Sequence, residues 1–362
     1  MTLGEITRIG GEMELRLADF GQAASCENWP APAVPCKIWT DTGRSALFLA
    51  ASSHAARRGR KLVHLPAFSC FSVTEPFVAA GYDVIYYDHV PNDANLDLPA
   101  LAEGDLLVVL HYFGVPNAHI DRLVKLARDF GCAVLEDFVQ ASLNVKQPVK
   151  GDYVVTSLRK FLPVTDGAFL GSRNLVSVAL DPSDETFVSR RLAAKMLRAV
   201  TEDVGLYLSL IEETEDSLAA ARPRMPSAAA GIVMGTMDLD RIARRRRENW
   251  HALNRAMIDI PSELRPKTVT DFPGVDDVPL GYAVSFDNGI RDQVRAALRE
   301  EGIYCPIHWD LSHLAEGAFP KARDLSSRIM TIPLDQRYDA AQMQAVAGRL
   351  LAVLTRLKHI KL

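Results

Sequence analysis

Short apolar runs alternate with amphipathic stretches along the first half of the chain. Residues 105–111, 132–137 and 152–157 are mainly apolar, as expected of strands that are covered on both faces. Between the first two runs, residues 120–130 repeat their apolar positions with helical spacing. Strands and helices in alternation predict an α/β fold, in which helices enclose a largely parallel sheet.

The same patterns predict elements on either side of this region. Strands are expected at residues 61–65 and 82–87, and helices are expected from about Gly43 and at residues 74–80. The later part of the chain has an order typical of a small α+β unit: helix 241–257, strand 282–286, helix 290–300, strand 303–309 and helix 340–358.

The chain has 362 residues, which is enough for two domains. Residues 1–35 show no periodicity and end in a proline-rich stretch, so they predict an irregular N-terminal arm that lies over another surface. Residues 36–240 are predicted to form a large domain. Residues 241–362 are predicted to form a smaller one.

Composition narrows the class of protein. The formal net charge is −4, which argues against a nucleic-acid-binding protein. Five cysteines are scattered without metal-ligand spacing, which indicates reduced thiols in a cytoplasm and no metal site. The sequence shows neither a signal peptide nor an apolar run long enough to span a bilayer, so we expect no membrane association.

Lys160 is the first candidate for chemistry. It follows the apolar run 153–155 and precedes an Asp-Gly turn at residues 166–167. A lysine just past a buried strand is expected to be desolvated, which lowers its pKa and frees the amine as a nucleophile. Ser157, three residues earlier, could serve an anionic group beside it. The alternative is a solvated surface lysine, which is commoner for any single lysine.

Two other places suit the same chemistry. Gly43, Arg44 and Ser45 lie at a predicted helix N-terminus, where free N–H groups favour a phosphate; an ordinary N-cap is the alternative. Asp137 ends an apolar strand, where an acid needs a cation or a donor as partner. A pyridinium nitrogen would be such a partner, and a carboxylate that caps a helix is the alternative. Gln140 is close enough in sequence to help position a ring.

The order and spacing of several stretches resemble the DegT/DnrJ/EryC1/StrS-type sugar aminotransferases, which are fold-type I pyridoxal-phosphate-dependent enzymes. The resemblance covers most of the chain and lies in residues 42–47, 66–71, 110–114, 136–141, 157–160, 225–229, 244–249, 301–303 and 332–338. It implies a mainly parallel seven-stranded sheet between helices, plus a smaller α+β C-terminal domain. It also implies a homodimer with shared active sites.

The resemblance assigns roles around the ring of the cofactor, pyridoxal 5'-phosphate. Lys160 would be the Schiff-base lysine and the base that moves a proton on the substrate. Asp137 would pair with the pyridine nitrogen, and Gln140 would lie near the ring hydroxyl. The family usually stacks a residue on the ring at the position of Cys70, so either Cys70 or Phe71 would cover it here. The residues expected to hold the phosphate are Gly43, Arg44, Ser45 and Ser157.

The sequence departs from the family pattern in three places. Residues 166–168 read Asp-Gly-Ala, with one glycine where the family usually has a pair. The Ser-x-x-Lys spacing at Ser157 and Lys160 is seen more widely in fold-type I aminotransferases. Residues 187–225 are strongly helical, whereas in the family this region helps to frame the substrate pocket.

The implied function is transfer of an amino group from a small-molecule donor, glutamate or glutamine, to a nucleotide-linked keto sugar. Two alternatives keep the cofactor: a different reaction, such as dehydration, or a non-catalytic regulatory role. Dehydration usually needs histidine in place of the lysine. A plain nucleotide-binding α/β protein is a third alternative, but the chain has neither a GxGxxG turn nor a phosphate loop.

Two groups in the predicted small domain allow both a structural and a substrate-binding interpretation. The basic run at residues 244–247 is either a solvated helix face or a source of an arginine for an anionic substrate. His308 and Trp309 either touch substrate or pack as a hydrogen-bonded pair.

Overall fold

The computed structural model describes residues 8–22, 25–93, 95, 100–174, 176, 179–201, 203–218, 221–270, 273–287 and 289–360. The strands are β1 (Ile9–Gly10), β2 (Cys36–Thr40), β3 (Leu62–Pro66), β4 (Asp83–Tyr87), β5 (Leu106–Leu110), β6 (Ala133–Asp137), β7 (Tyr153–Ser157), β8 (Ala168–Ser172), β9 (Lys267–Thr268), β10 (Tyr282–Ser285), β11 (Ile303–Tyr304) and β12 (Ile329–Ile332). The helices are α1 (Gly43–Arg58), α2 (Phe71–Ala79), α3 (Ile120–Asp129), α4 (Glu185–Val200), α5 (Val204–Asp216), α6 (Ala228–Met234), α7 (Leu239–Ile258), α8 (Arg291–Glu300), α9 (Pro320–Arg328) and α10 (Ala340–Ile360).

In the described part of the chain, seven strands form the large sheet, in the order β2-β8-β7-β6-β5-β3-β4. All run parallel except β8, which is antiparallel to both of its neighbours. Every residue of β5, β6, β7 and β8 is buried, which matches the continuously apolar runs in the sequence. The predicted fold is therefore confirmed. The sequence patterns did not predict β2 and β8.

A second sheet is antiparallel, with the order β12-β10-β9 among the described residues. Its strands pack with α7, α8 and α10 around an apolar cluster that includes Trp250, Leu253, Val284, Ile332 and Leu350. This arrangement matches the predicted α+β character of the later part of the chain. The domain limits at residues 35 and 240 stay predictions.

The strand predicted at residues 303–309 is wrong beyond Tyr304. Only Ile303 and Tyr304 pair with another strand, and their partner is β1. The carbonyl of Cys305 instead accepts a hydrogen bond from Arg295 Nε (2.9 Å). Pro306 has no N–H group, so regular pairing cannot continue through it.

The N-terminal arm is more regular than predicted, because it contributes β1. Gly10 N–H donates to the hydroxyl of Tyr338 (2.7 Å), and the Glu14 carboxylate pairs with Arg337 (2.7 Å). The Glu12 carboxylate pairs with Lys195 of α4. Residues 9–14 of the arm therefore lie along their own chain, against α4 and the segment after β12.

Candidate active site

The carboxyl ends of four neighbouring parallel strands meet at one edge of the large sheet. The strands β7, β6, β5 and β3 are consecutive in its order. Asp137 and Ser157 are the last residues of β6 and β7, and Cys70 follows the end of β3. Ligands of open α/β sheets bind at such an edge. The sequence placed these residues there correctly.

Asp137 is a buried carboxylate, with 3% of its surface exposed. The N–H of Val139 donates to its Oδ1 (2.8 Å). Burial raises its pKa to about 6, although the Val139 N–H, His111 and Lys160 favour the charged form. None of these groups forms an ion pair with Asp137 in the described part of the chain, so the carboxylate would gain from a cation placed beside it.

The turn before α1 faces Ser157. Thr42 is the N-cap of α1, and its hydroxyl accepts from Ser45 N–H (3.2 Å). The N–H groups of Gly43 and Arg44 belong to the first helical turn, which has no acceptor within the helix. A Cβ atom built on Gly43 would lie 3.7 Å from Ser157 Cβ. The structure therefore combines the N-cap interpretation with a group of donors that points towards the end of β7.

The Arg44 side chain does not join this group of donors. Its Nε donates to Glu75 of α2 (2.9 Å), and its Nη1 lies 3.6 Å from Glu215 Oε2 of α5. Arg44 can therefore serve the turn through its backbone while its guanidinium holds two carboxylates on neighbouring helices.

Lys160 ends a single 3-10 turn, Leu158–Lys160, that follows β7. Its side chain is exposed in the single chain, so the expected desolvation is wrong at this level of structure. The strand before the turn is buried, but the turn carries the lysine out of the sheet layer. Lys160 is close enough to Asp137 and to His308 to influence the pKa of both.

A cavity of about 620 Å³ opens beside Lys160. It lies between the end of the large sheet, the N-terminal arm and the segments around β11 and β12. Its basic lining residues are Arg159, Lys160, Arg191, Arg198, Arg246, Arg295, Arg299 and Arg337, and its acidic ones are Glu12, Glu215 and Asp335. The excess of basic side chains makes the cavity suited to anions.

Gln140 is held by the loop after β5. Its Oε1 accepts from the N–H of Phe113 (3.0 Å), which leaves its amide nitrogen as a donor. Phe113 and Gly114 both have positive φ, of 54° and 89°. A Cβ on Gly114 would lie 2.2 Å from the carbonyl oxygen of Val278, so only glycine permits this close approach.

Cys70 and Phe71 begin α2 and diverge. Cys70 is its N-cap and accepts from the Ser72 hydroxyl at Sγ (3.0 Å). The ring of Phe71 is 46% exposed and packs on His313, with ring centroids 5.0 Å apart. His313 also contacts Tyr86 of the edge strand β4. Phe71 thus lies towards the β4 side of the sheet.

His308 packs against the loop after β5, and Trp309 packs against the segment after β3. The ring centroids of Phe113 and His308 are 5.1 Å apart, and Trp309 lies 4.9 Å from Phe68. His308 Nδ1 is 3.0 Å from the Thr331 hydroxyl. Burial and the nearby Lys160 lower the pKa of His308 to about 3, so its ring is neutral where it lines the cavity.

The basic run at residues 244–247 lies on α7, and its arginines differ in exposure. Arg244 is exposed, whereas the Arg246 side chain is only 1% exposed. The guanidinium of Arg246 donates to the carbonyls of Phe161 (3.2 Å), Pro279 (3.2 Å) and Leu280 (3.1 Å). Arg246 therefore reaches the cavity wall as a structural residue that holds the segment after Lys160.

The Asp-Gly-Ala stretch at residues 166–168 contacts the turn that carries Lys160. Asp166 is fully buried and accepts from the N–H (2.7 Å) and the hydroxyl (2.5 Å) of Ser227. Gly167 has a φ of 109°, and its carbonyl accepts from Leu158 N–H (2.9 Å). One glycine is enough here, because Ala168 lies in regular antiparallel register with Ser157.

The sequence did not predict the cluster of Arg159, Arg191 and Glu215. Arg159 Nη1 lies 3.3 Å from Glu215 Oε1, and Arg191 pairs with the same oxygen. These residues are 24 or more positions from Glu215, so no local pattern signals the contact. The helical departure at residues 187–225 was the available signal, since Arg191 of α4 and Glu215 of α5 both lie in it.

Comparison with known proteins gives a family match. The family model described as the DegT/DnrJ/EryC1/StrS aminotransferase family matches residues 35–147 and 192–351. The unmatched interval contains Lys160. A search of curated proteins finds no match.

Solved structures of low identity share the fold. TlmJ, an aminotransferase from Streptoalloteichus hindustanus, is 21% identical, with a TM-score of 0.63 over 89% of this chain and 86% of that one. DesI, solved in the presence of its TDP-sugar product, is 19% identical, with a TM-score of 0.63 over 91% and 83%. NtdA from Bacillus subtilis, with bound cofactor PMP, is 13% identical, with a TM-score of 0.64 over 89% and 74%. Among the described residues, no helix is long and apolar enough to cross a bilayer.

Proposed function

The chain belongs to the DegT/DnrJ/EryC1/StrS aminotransferase family and is a pyridoxal-phosphate-dependent aminotransferase, and on this premise we propose that Lys160 binds the cofactor covalently. We further propose that the amino group passes from glutamate or glutamine to a nucleotide-linked keto sugar. The buried carboxylate of Asp137 at the end of β6 is the observation that supports this site most strongly.

The residues fit the cofactor in chemistry and in placement. Asp137 is a buried acid with an elevated pKa and lacks an ion-pair partner among the described residues, which suits a protonated ring nitrogen. Gly43 and Arg44 offer backbone N–H groups, and the Ser157 side chain, which carries a hydroxyl, lies next to Gly43; this combination suits a phosphate. Lys160 follows Ser157 by one short turn.

When bound, pyridoxal phosphate supplies the carbonyl that takes up the amino group and the ring that delocalises an electron pair. Asp137 would hold the proton on the ring nitrogen. Lys160 Nζ would move the proton at the reacting carbon of the substrate. Gln140 would donate from its free amide nitrogen to the ring hydroxyl, since its oxygen is already occupied by Phe113 N–H.

We propose Cys70, rather than Phe71, as the residue that covers the ring. Cys70 lies at the N-cap of α2, four residues after the end of β3, whereas the ring of Phe71 packs on His313 towards β4. The sulfur is small and polarisable, so it can lie against a ring face without filling the space an aromatic side chain would need.

The charge of the cavity lining is the basis for the proposed acceptor. A nucleotide-linked sugar carries a diphosphate, and the cavity beside Lys160 has eight basic and three acidic lining residues. DesI, which shares this fold, has a TDP-sugar product. We also propose a homodimer, because Lys160 is exposed and apolar side chains such as Leu206 and Leu208 remain uncovered in the single chain. A cytoplasmic location remains a prediction from the sequence.

Replacement of the lysine tests the proposal. Lys160→Ala should abolish the visible absorption band of the bound cofactor and lower turnover at least about a thousandfold, because both the covalent link and the proton-moving base are lost. Lys125→Ala is a matched control, since Lys125 is 79% exposed on α3 and pairs only with Asp129 in the described structure. A Lys160→Ala enzyme that turned over normally would refute the assignment.

A further inference from the structure

The cavity wall beside Lys160 carries a cluster of charges that the proposed chemistry leaves unused. We define this arginine cluster as Arg44, Arg159, Arg191 and the carboxylate of Glu215, which lies among them. Arg159, Arg191 and Glu215 line the same cavity as Lys160. The cluster therefore lies within reach of a substrate that is bound over the lysine.

The arginines are incompletely satisfied. The side chains of Arg159 and Arg191 are 18% and 3% exposed. The Nε atoms of both are buried, and neither has a hydrogen-bond partner among the described residues. A buried guanidinium donor that lacks a partner is costly, so the cluster has donor capacity that Glu215 does not fill.

The Glu215 carboxylate is held in the cluster by its ion pairs with arginines. Burial opposes its ionisation, but Arg159 and Arg191 lower its pKa to about 2. The carboxylate is nevertheless 42% exposed, and it lies in the last turn of α5. It can therefore leave the cluster without exposing an apolar core.

The charge of the surroundings favours a ligand that carries more than one negative charge. Arg44, Arg159, Arg191 and Lys195 provide four positive charges, and Glu12, Glu75 and Glu215 provide three negative ones. These charges leave one net positive charge. If a ligand with a single carboxylate replaced Glu215 in the cluster, that net charge would not change. If a diphosphate with two negative charges replaced it, the net charge would be zero.

We propose that Arg159 and Arg191, with Arg44, form a subsite for the diphosphate of the acceptor, and that Glu215 occupies this subsite until the acceptor displaces it. The inference rests on the proposed function, because it assumes an acceptor linked to a nucleotide. It adds the residues that would recognise the diphosphate, two of which, Arg159 and Arg191, lie in the interval that the family model does not match.

Binding of inorganic pyrophosphate to the holoenzyme tests the inference. Glu215→Gln removes the competing charge but keeps an oxygen for the arginines. It should tighten pyrophosphate binding about fivefold or more, measured by calorimetry. Glu213→Gln is the matched control, because Glu213 lies on the same helix and pairs with Arg190 (3.2 Å), which does not line the cavity. Its binding constant should equal that of the wild type.

The double variant Arg159→Gln, Glu215→Gln should lose the gain. The proposal would be overturned if pyrophosphate bound Glu215→Gln no more tightly than the wild type. It would also be overturned if Glu213→Gln gained as much affinity as Glu215→Gln. Glutarate, a dicarboxylate, is the second ligand to be measured. If Glu215→Gln bound glutarate more tightly than the wild type but showed no such gain for pyrophosphate, the subsite would belong to the amino donor and the diphosphate proposal would be refuted.

The same preparations separate this inference from the proposed function. A cofactor band that borohydride removes shows that Lys160 chemistry is intact in each variant. If that band is present and pyrophosphate binding does not respond, only the diphosphate subsite is wrong. If the band is absent from the wild type, the proposed function fails first.

Discussion

At the scale of single residues, Asp137 determines what the site can bind. Its pKa is raised from an ordinary 3.8 to about 6 because it is buried. A group whose folded pKa is raised stabilises the fold below its unfolded pKa, and this contribution is lost as the pH rises through the folded value. In the cofactor-free protein, the charged form of Asp137 therefore costs stability above about pH 6.

Asp137→Asn should stabilise the cofactor-free protein at pH 7 by up to about 3 kcal/mol, because it removes a buried charge and keeps the acceptor for Val139 N–H. The gain should shrink between pH 6 and about pH 4 and vanish below. Thermal unfolding across this range measures it, with exposed Asp129→Asn as the control. The variant should also bind the cofactor more weakly. A loss of stability at pH 7 would contradict the account.

Residue types at strand ends were predictable, and so was the burial of Asp137, but the exposure of Lys160 was not. The sequence shows that Asp137 ends an apolar strand, and burial followed from that. Lys160 ends a similar stretch, yet the 3-10 turn after Ser157 carries it into the cavity. The direction of a turn depends on its supports, and here these are Asp166 and Ser227, which are 61 residues apart.

At the scale of elements, loops hold the site together where no helix or strand does. The loop after β5 approaches residues 278–280 at Gly114, and Leu280 N–H donates to the carbonyl of Phe113 (2.9 Å). The sequence predicted β5 from its apolar run, but this contact joins positions more than 160 residues apart and has no local signal. The prediction of a strand over residues 303–309 was wrong for a local reason, because Pro306 has no N–H group to continue the pairing.

Gly114→Ala should destabilise the protein by several kcal/mol, because its Cβ would lie 2.2 Å from a backbone oxygen and its φ is 89°. Gly59→Ala is the matched control: its φ is 69°, but no described atom lies within 4 Å of the added Cβ. We expect it to lose about 1 kcal/mol. Urea unfolding compares the two, and equal losses would show that crowding at Gly114 is unimportant.

At the scale of the whole molecule, Arg246 connects α7 of the later part of the chain with the segment after Lys160. Its guanidinium satisfies the carbonyls of Phe161, Pro279 and Leu280, and Gln336 Nε2 donates to the same Phe161 carbonyl (2.8 Å). Arg246 is four residues after Ile242 and four before Trp250, so helical spacing places it on the apolar side of α7. Its carbonyl partners are 33 or more positions away and have no local signal.

Arg246→Met should destabilise the protein by about 3 kcal/mol or more, since it leaves the carbonyls of Pro279 and Leu280 without their donor and removes one of the two donors to the carbonyl of Phe161. Arg244→Met, on the exposed side of the same helix, should change stability by less than about 0.5 kcal/mol. The midpoint of thermal unfolding measures both. Similar effects for the two variants would mean that Arg246 does not connect the two parts of the molecule.

The site of covalent attachment tests the central claim most directly. Borohydride reduction of the holoenzyme fixes the cofactor to the lysine that holds it, and peptide mapping by mass spectrometry identifies that lysine. The account predicts a single modified peptide that carries the cofactor on Lys160. A modification on any other lysine, or a cofactor that borohydride leaves unattached, would contradict it.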